Sequence, residues 1–209
     1  MTALNPLLDQ SSFDPEYQLK DLGSKIVVLL ERITESFKVA LWEEGKQWQL
    51  SPLQIQIIVF IFHHPGKLCT VSYLAQEFNV SKPTVSEAVR IMEHKRILIR
   101  HPNALDGRRH TLALTASGHA VAIKAQHFAT SILTEVNTLP SQNKLDLFQN
   151  LLTLLHNLQK AGLLSENRMC LNCPHLRIGD SAQSEYTCML LGRPLFSPDL
   201  RVDCIDFKK

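Results

Sequence analysis

Four of the chain's five cysteines fall in its last forty residues, as Cys170, Cys173, Cys188 and Cys204, in a C-x2-C-x14-C-x15-C pattern. Four thiolates brought to one point match a tetrahedral Zn2+ site and equally an iron–sulfur cluster, since both take four cysteine ligands. The first pair forms a good clip, but Cys188 and Cys204 stand apart, so the twofold C-x2-C of a zinc ribbon is only half present. Zn2+, the iron–sulfur alternative, and metal-free thiol or disulfide chemistry all remain open on this spacing. A closed zinc site would brace the tail, whereas a cluster lost or oxidised under stress would make the chain a metal or redox sensor. The tail carries Pro174, Gly179, Gly192, Pro194 and Pro198 and few periodic apolar residues, so about forty residues of this kind need such a staple to fold. His175 is placed to replace a thiolate or to lie just outside the ligands. Cys69, far from the others, reads as a small buried hydrophobe.

A second concentration of chemistry is electrostatic. Within residues 79–110 stand Lys82, Arg90, Lys95, Arg96, Arg100, Arg108 and Arg109 against Glu87, Glu93 and Asp106. Seven bases against three acids leave a local +4 in a chain whose formal net charge is only +2. His94, His101 and His110 add to it, and this is where a nucleic-acid duplex would lie.

The elements that must position these groups follow from periodicity and caps. Leu19, Leu22, Ile26, Leu29, Ile33 and Phe37 recur every three or four residues, which puts an apolar stripe on a helix from about residue 16 to 43, ended by Gly45. Ser51-Pro52-Leu53-Gln54 is a capping-box start. The adjoining LQIQIIVFIF has strand-like β-branching but the cap and length of a buried helix, and the helix pair directly after it decides for helix. Thr70 caps a short helix, and after Asn79-Val80 a second starts at Ser81 with Pro83 in its first turn. Two helices so separated make a helix-turn-helix, with Asn79 where the turn wants positive φ. Ser81, Lys82, Thr84, Ser86, Glu87 and Arg90 then face phosphates and base edges. Residues 97–100 and 110–114 flank a long Asp-Gly-containing loop, a hairpin signal. Thr115 caps a helix with the stripe Val121, Ala125, Phe128, Ile132 and Val136, and a last helix over about 141–161 carries Leu145, Phe148, Leu152 and Leu155 before Gly162.

On LAQEFNVSKPTVSEAVRIMEHKRILIR, the wing tip Asp106-Gly107-Arg108-Arg109 and LALTASGHAV, the chain resembles the MarR-type winged-helix regulators over about residues 16–162. It departs at Lys95-Arg96, where the family usually has Lys-Gly. The resemblance implies a homodimer in which the first helix pairs with the last two, and a wing whose Arg108 or Arg109 reaches the minor groove while Asp106 holds the wing arginine. It implies duplex DNA as partner, with a near-palindromic operator, and a small-molecule effector between the dimer helices and the DNA-binding lobe that no residue here identifies.

The expected fold is mainly α with a small β-wing, a winged helix-turn-helix plus long dimerisation helices. Its expected parts are a flexible arm (1–15), an N-terminal dimerisation helix (16–50), the winged lobe (51–114), C-terminal dimerisation helices (115–165) and a cysteine-rich metal-binding tail (166–209). The longest unbroken aliphatic and aromatic run, residues 57–62, is far short of the roughly 20 residues a membrane helix needs. The N-terminus reads as no signal peptide, so a cytoplasmic protein is expected. Without a Gly-rich phosphate loop, a nucleophile elbow or H-E-x-x-H, catalysis is not expected. The competing reading is a winged-helix protein-interaction module braced by zinc, without operator binding.

Overall fold

The computed structural model describes residues 11–102, 110–181 and 184–207. It is mostly helical, with a two-stranded wing and a separate three-stranded sheet in the tail. Asp14 caps α1 (Pro15–Gln18), and Asp21 accepts the Ser24 amide to start α2 (Leu22–Trp48). The capping box forms as the sequence predicts: Ser51 Oγ accepts the Gln54 amide while Gln54 Oε1 accepts the Ser51 amide, opening α3 (Pro52–His63). Thr70 caps α4 (Val71–Glu77) and Ser81 caps α5 (Lys82–His94). The wing pairs β1 (Leu98–Pro102) with β2 (His110–Leu114) in antiparallel register, Leu98 opposite Leu114 and Arg100 opposite Leu112. Next come α6 (Ala116–Ala125), α7 (Thr130–Thr138) and α8 (Ser141–Lys160).

Three helix boundaries differ from the periodicity reading. The first helix does not run unbroken from residue 16: α1 stops at Gln18, leaving Leu19 between helices, and α2 starts at Leu22 behind its Asp21 cap. Gly45 does not end α2; it lies buried inside it, where a Cβ would sit 2.3 Å from the Leu50 carbonyl oxygen. The stop is Gln49, in left-handed conformation at φ 53°, whose amide and that of Leu50 return to the Lys46 and Gly45 carbonyls. The glycine is there so that the chain can fold back over it. The stripe from Val121 to Val136 is likewise not one helix. Around residues 126–129 the bonds shorten to i→i−3, from Phe128 to Ala125 and from Thr130 to His127, and Phe128 packs inward on the core.

One apolar core joins α3 to α6 and the wing: Ile55, Ile57, Ile58, Leu74, Val85, Val89, Met92, Leu98, Leu112 and Ala122 are fully enclosed. Buried Gln54 fits because its Nε2 also donates to the Ala88 carbonyl. Thr115 and Gly118 fasten the wing to α6. Thr115 Oγ1 accepts the Gly118 amide and donates to the Arg96 and Ile97 carbonyls, while a Cβ at Gly118 would stand 2.1 Å from the Ile97 oxygen. The Leu-Thr-x-x-Gly pattern thus has a packing cause. Among the described residues no helix is long and apolar enough to cross a membrane.

Outside that core, Leu22, Leu29 and Ile33 of α2 are at least half exposed, and Leu133 of α7 and Leu147 and Leu151 of α8 also face outward. The α8 stripe itself is spent within the chain. Phe148, Leu152 and Leu155 pack with Met169, Cys170, Leu195 and Leu200 in a second, smaller core under the tail. The tail is a 3-10 turn at Cys170–Asn172 followed by β3 (Leu176–Ser181), β4 (Ser184–Cys188) and β5 (Arg193–Leu195), antiparallel in that order.

Candidate nucleic-acid interface and cysteine pocket

The first turns of α5 present a polar surface. Lys82, Thr84, Glu87 and Arg90 are exposed, Ser86 is half-buried, and the Val85, Ala88, Val89 side of the same helix is locked in the core. Ser81 Oγ accepts the Thr84 amide and hydrogen-bonds Thr84 Oγ1, so the cap fixes both hydroxyls at the helix entrance. Beside them lies a cavity of about 550 Å3 lined by Lys67, Thr70, Ser72, Ser86, Arg100 and His110, between α4, α5 and the wing. Lys67 and Ser72 escaped the sequence reading because they precede the basic window and carry no motif; only the fold brings them to Ser86. The wing-tip residues Asp106, Arg108 and Arg109 lie outside the described residues.

Ion pairing leaves the +4 of the window unchanged but engages several of its basic groups. Arg90 donates to both oxygens of Glu87 at 2.8 and 2.6 Å, Arg100 Nε donates to Glu93 at 3.0 Å, and Lys95 Nζ donates to the Gln49 carbonyl. Hydrogen bonding and attraction from Arg90 hold the Glu87 carboxyl below the usual range. Arg90 must therefore leave Glu87, or share it, to meet a phosphate. Arg96 serves the backbone: it stands at φ 57° where its amide and that of Ile97 return to Glu93 and Met92, the position of the absent glycine.

The four tail thiols come together. Cys170, Cys173, Cys188 and Cys204 line one cavity whose remaining wall is chiefly Leu176, Leu190, Leu191 and Leu195, with Asp206 at the side. Among the described residues no group of three or more His, Cys, Asp or Glu side chains is disposed to hold a metal ion as it stands, so the thiols share a cavity without closing on a common centre. The cavity measures about 20 Å3, and on the order of 10–15 Å3 holds one water-sized occupant. Burial pushes the Cys170 thiol up, the Arg201 amide donating to its sulfur at 3.2 Å pulls it back, and the three other thiols raise it further. Arg201 Nη1 also lies 3.5 Å from Cys204 Sγ. His175 does not line the cavity; its carbonyl accepts the Met189 amide. Cys69 is enclosed in the main core, and burial pushes its thiol up to about 11.

Between the tail and the helix-turn-helix lies a buried ionic cluster that no spacing announced. Arg168, 4% exposed, sends Nε and Nη2 to the two oxygens of Asp203 at 2.7 and 2.9 Å, and Nη1 to Glu77 at 2.8 Å and to the Tyr73 hydroxyl. Its guanidinium lies over the Phe60 and Tyr73 rings, 5.2 and 5.5 Å from their centroids. His64 stacks on Phe60, and its Nε2 lies 2.7 Å from Asp203. Burial opposes charge on Arg168, but hydrogen bonds with Asp203, Glu77 and Tyr73 prevail and hold its pKa above the ordinary value. Burial likewise pushes the Asp203 carboxyl up, and Arg168 and His64 outweigh it, leaving it below the usual range. A lone Arg two residues before a cysteine carries no sequence signal for this role.

Fold and site together define a winged helix-turn-helix protein with an appended cysteine-bearing sheet. Residues 48–109 match the model of the MarR family. The chain is similar to the Staphylococcus aureus MepR solved in complex with DNA, at 25% identity and a TM-score of 0.57, covering 63% of this chain and 96% of that one. A MarR transcriptional regulator from Methanosarcina mazei Go1 shares the fold at 14% identity and a TM-score of 0.56, covering 65% and 97% of the two chains. A search among curated proteins returned no match.

Proposed function

We propose that this protein is a transcriptional regulator that binds duplex DNA as a homodimer, with the first turns of α5 in the major groove, and that its four tail cysteines hold one Zn2+. The observation that carries the first part is the exposed polar face of Ser81, Lys82, Thr84, Ser86, Glu87 and Arg90, set beside the wing on a lobe similar to one solved on DNA. Arg108 and Arg109 at the wing tip would add minor-groove contacts. The large cavity lined by Lys67, Ser86 and Arg100 belongs to this same face, and its basic lining suits phosphate. Dimerisation is supported by the outward apolar residues of α2, α7 and α8, which in a single chain meet water. Two-fold-related α5 helices would then read half-sites ~34 Å apart, a near-palindrome. Such a protein acts by binding, not by catalysis.

Zinc is favoured over an iron–sulfur cluster because the cavity the thiols share, about 20 Å3, is small for a multi-atom cluster. Arg201 beside Cys204 offsets part of the negative charge that four thiolates leave around a divalent cation. Metal analysis and an absorption spectrum on protein purified without oxygen decide this: one zinc per colourless chain is expected, and iron with sulfide and visible bands would replace zinc by the cluster.

DNA binding is tested by fluorescence anisotropy on duplexes selected from random sequence, across a salt series. The expected affinity falls by roughly 10³-fold or more between 50 and 200 mM salt, as for proteins neutralising about six phosphates or more. Lys82→Ala should weaken all duplexes about equally and flatten the salt slope. A flat slope in the parent protein, with no selected duplex, would leave the interaction-module reading.

A further inference from the structure

We infer that Arg168 ties the cysteine pocket to the helix-turn-helix, so that filling or stripping the pocket with metal changes the grip on DNA. This rests on the reading of the pocket as a metal site and of the lobe as a DNA binder. Arg168 stands two residues before Cys170, and its carbonyl accepts the amide of Cys204. Asp203, which grips its guanidinium at two points, is the residue immediately before Cys204. Two of the four thiols are therefore held to the same strut, one through the chain and one through the Asp203 pair.

The other end of the strut is Glu77, the last residue of α4. From there the chain passes through Asn79 and Val80 to the cap of α5, and Ser165 Oγ, at the entrance to the tail, donates to Asn79 Oδ1 at 3.4 Å. The tail thus holds the turn that sets the angle between the two helices facing DNA.

The strut behaves as a switch because it is saturated. Nε of Arg168 meets Asp203, Nη1 meets Glu77 and the Tyr73 hydroxyl, and Nη2 meets Asp203 and, at 3.4 Å, the other Glu77 oxygen, which occupies the guanidinium fork. A buried charge with every partner present is held firmly, and one that loses a carboxylate is strongly destabilised. If Cys204 moves as a metal closes or leaves the pocket, Asp203 moves with it. Arg168 must then follow Asp203 or stay on Glu77, so the arrangement has two discrete states rather than a gradient.

The test uses the full chain, stripped by chelation under reducing conditions and reloaded with Zn2+ or with Cd2+, whose thiolate absorbance reports loading. Anisotropy on a duplex selected by the zinc-loaded protein should show roughly a tenfold difference between loaded and stripped protein, inside the ordinary range of coupling between sites. Hydrogen exchange over residues 71–80 should differ between the two states. In Arg168→Met, metal stoichiometry stays the same but the ratio of affinities shrinks below about twofold. Glu77→Gln, which keeps an acceptor and removes the charge, should shrink it part way and serves where Arg168→Met fails to fold.

Equal DNA affinity of loaded and stripped protein, or the full ratio in both variants, overturns the coupling and leaves the metal and DNA readings standing. Failure of the thiols to take up zinc, cadmium or iron with sulfide overturns the metal reading and the coupling with it.

Discussion

The winged lobe and the tail are held by different means. The lobe encloses more than a dozen fully apolar side chains from α3 to α6 and the wing, and each of its helix starts has a side-chain cap. The tail encloses Met169, Leu195 and Leu200 beside Cys170 and borrows Leu152 from α8 to do so. The rest of its hold is polar: Arg168 on Glu77, Asp203 on His64, and the thiol pocket. Apolar area stabilises in proportion to what is buried, at about 25 cal/mol per Å2, whereas ionic and metal contacts depend on every partner being present. The lobe should therefore tolerate changes in solution conditions that release the tail.

The sharpest way to break the lobe alone is Gly118→Ala. The new methyl would meet the Ile97 carbonyl at 2.1 Å, a backbone atom that cannot swing aside, in the joint that holds β1 to α6. Such overpacking costs about 3 kcal/mol or somewhat more. For a chain of this size that lowers Tm by roughly 6–12 °C. Differential scanning calorimetry should show the main transition moving. A Tm within about 2 °C of the parent, less than a single kcal/mol would shift it, would mean that the wing can move off α6 freely.

The seam between the two regions responds to pH instead. The Asp203 carboxyl is held below its ordinary value, so its contribution to the docked tail is complete above about 3.8 and is lost as pH falls through the lower, folded value. Limited proteolysis from pH 6 to 3 with an acid-stable protease should cut within residues 165–207 at the acid end before the lobe is touched. Asp203→Asn should bring that cutting up to neutral pH. Simultaneous loss of lobe and tail at acid pH would mean that the seam is not the weaker element.

Legibility in the sequence divides along the same line. Helix starts in the lobe were readable because caps act within three residues: Ser51 with Gln54, Thr70 with Tyr73 and Ser81 with Thr84 all form as their types predict. The outward residues of α5 were readable from the helix-turn-helix pattern, whose second helix presents its first turns. The four thiols were readable as a group from type and spacing, and they do share one cavity. The features that stayed hidden depend on distant chain. Glu93 on α5 engages Arg100 of the wing, a pairing that a net charge counting both residues does not reveal. The α8 stripe is spent on the tail where the resemblance implied a dimer partner, and Arg168 meets Glu77 across 91 residues. Gly45 misled because a glycine that admits a neighbouring carbonyl and a glycine that ends a helix look alike in one dimension.

The smallest expected effect concerns turns that lack glycine. Gln49, Asn79 and Arg96 all sit at φ between 53° and 57°, each closing a helix by the same pair of returning amides that Gly162 uses at φ 74°. For a residue with a Cβ that conformation costs roughly 1–2 kcal/mol. Glycine avoids this cost but loses about 0.5–1 kcal/mol more chain entropy on folding. Arg96→Gly should therefore stabilise the lobe by about 0.5 kcal/mol, read from the midpoint of urea unfolding at unchanged slope. The Arg96 carbonyl, which accepts from Thr115 and Ser117, is untouched by the change. Stabilisation without change in the DNA salt slope would place Arg96 on the structural side of the comparison. A slope reduced by about one would instead make it a phosphate contact that holds the strained turn in exchange for binding.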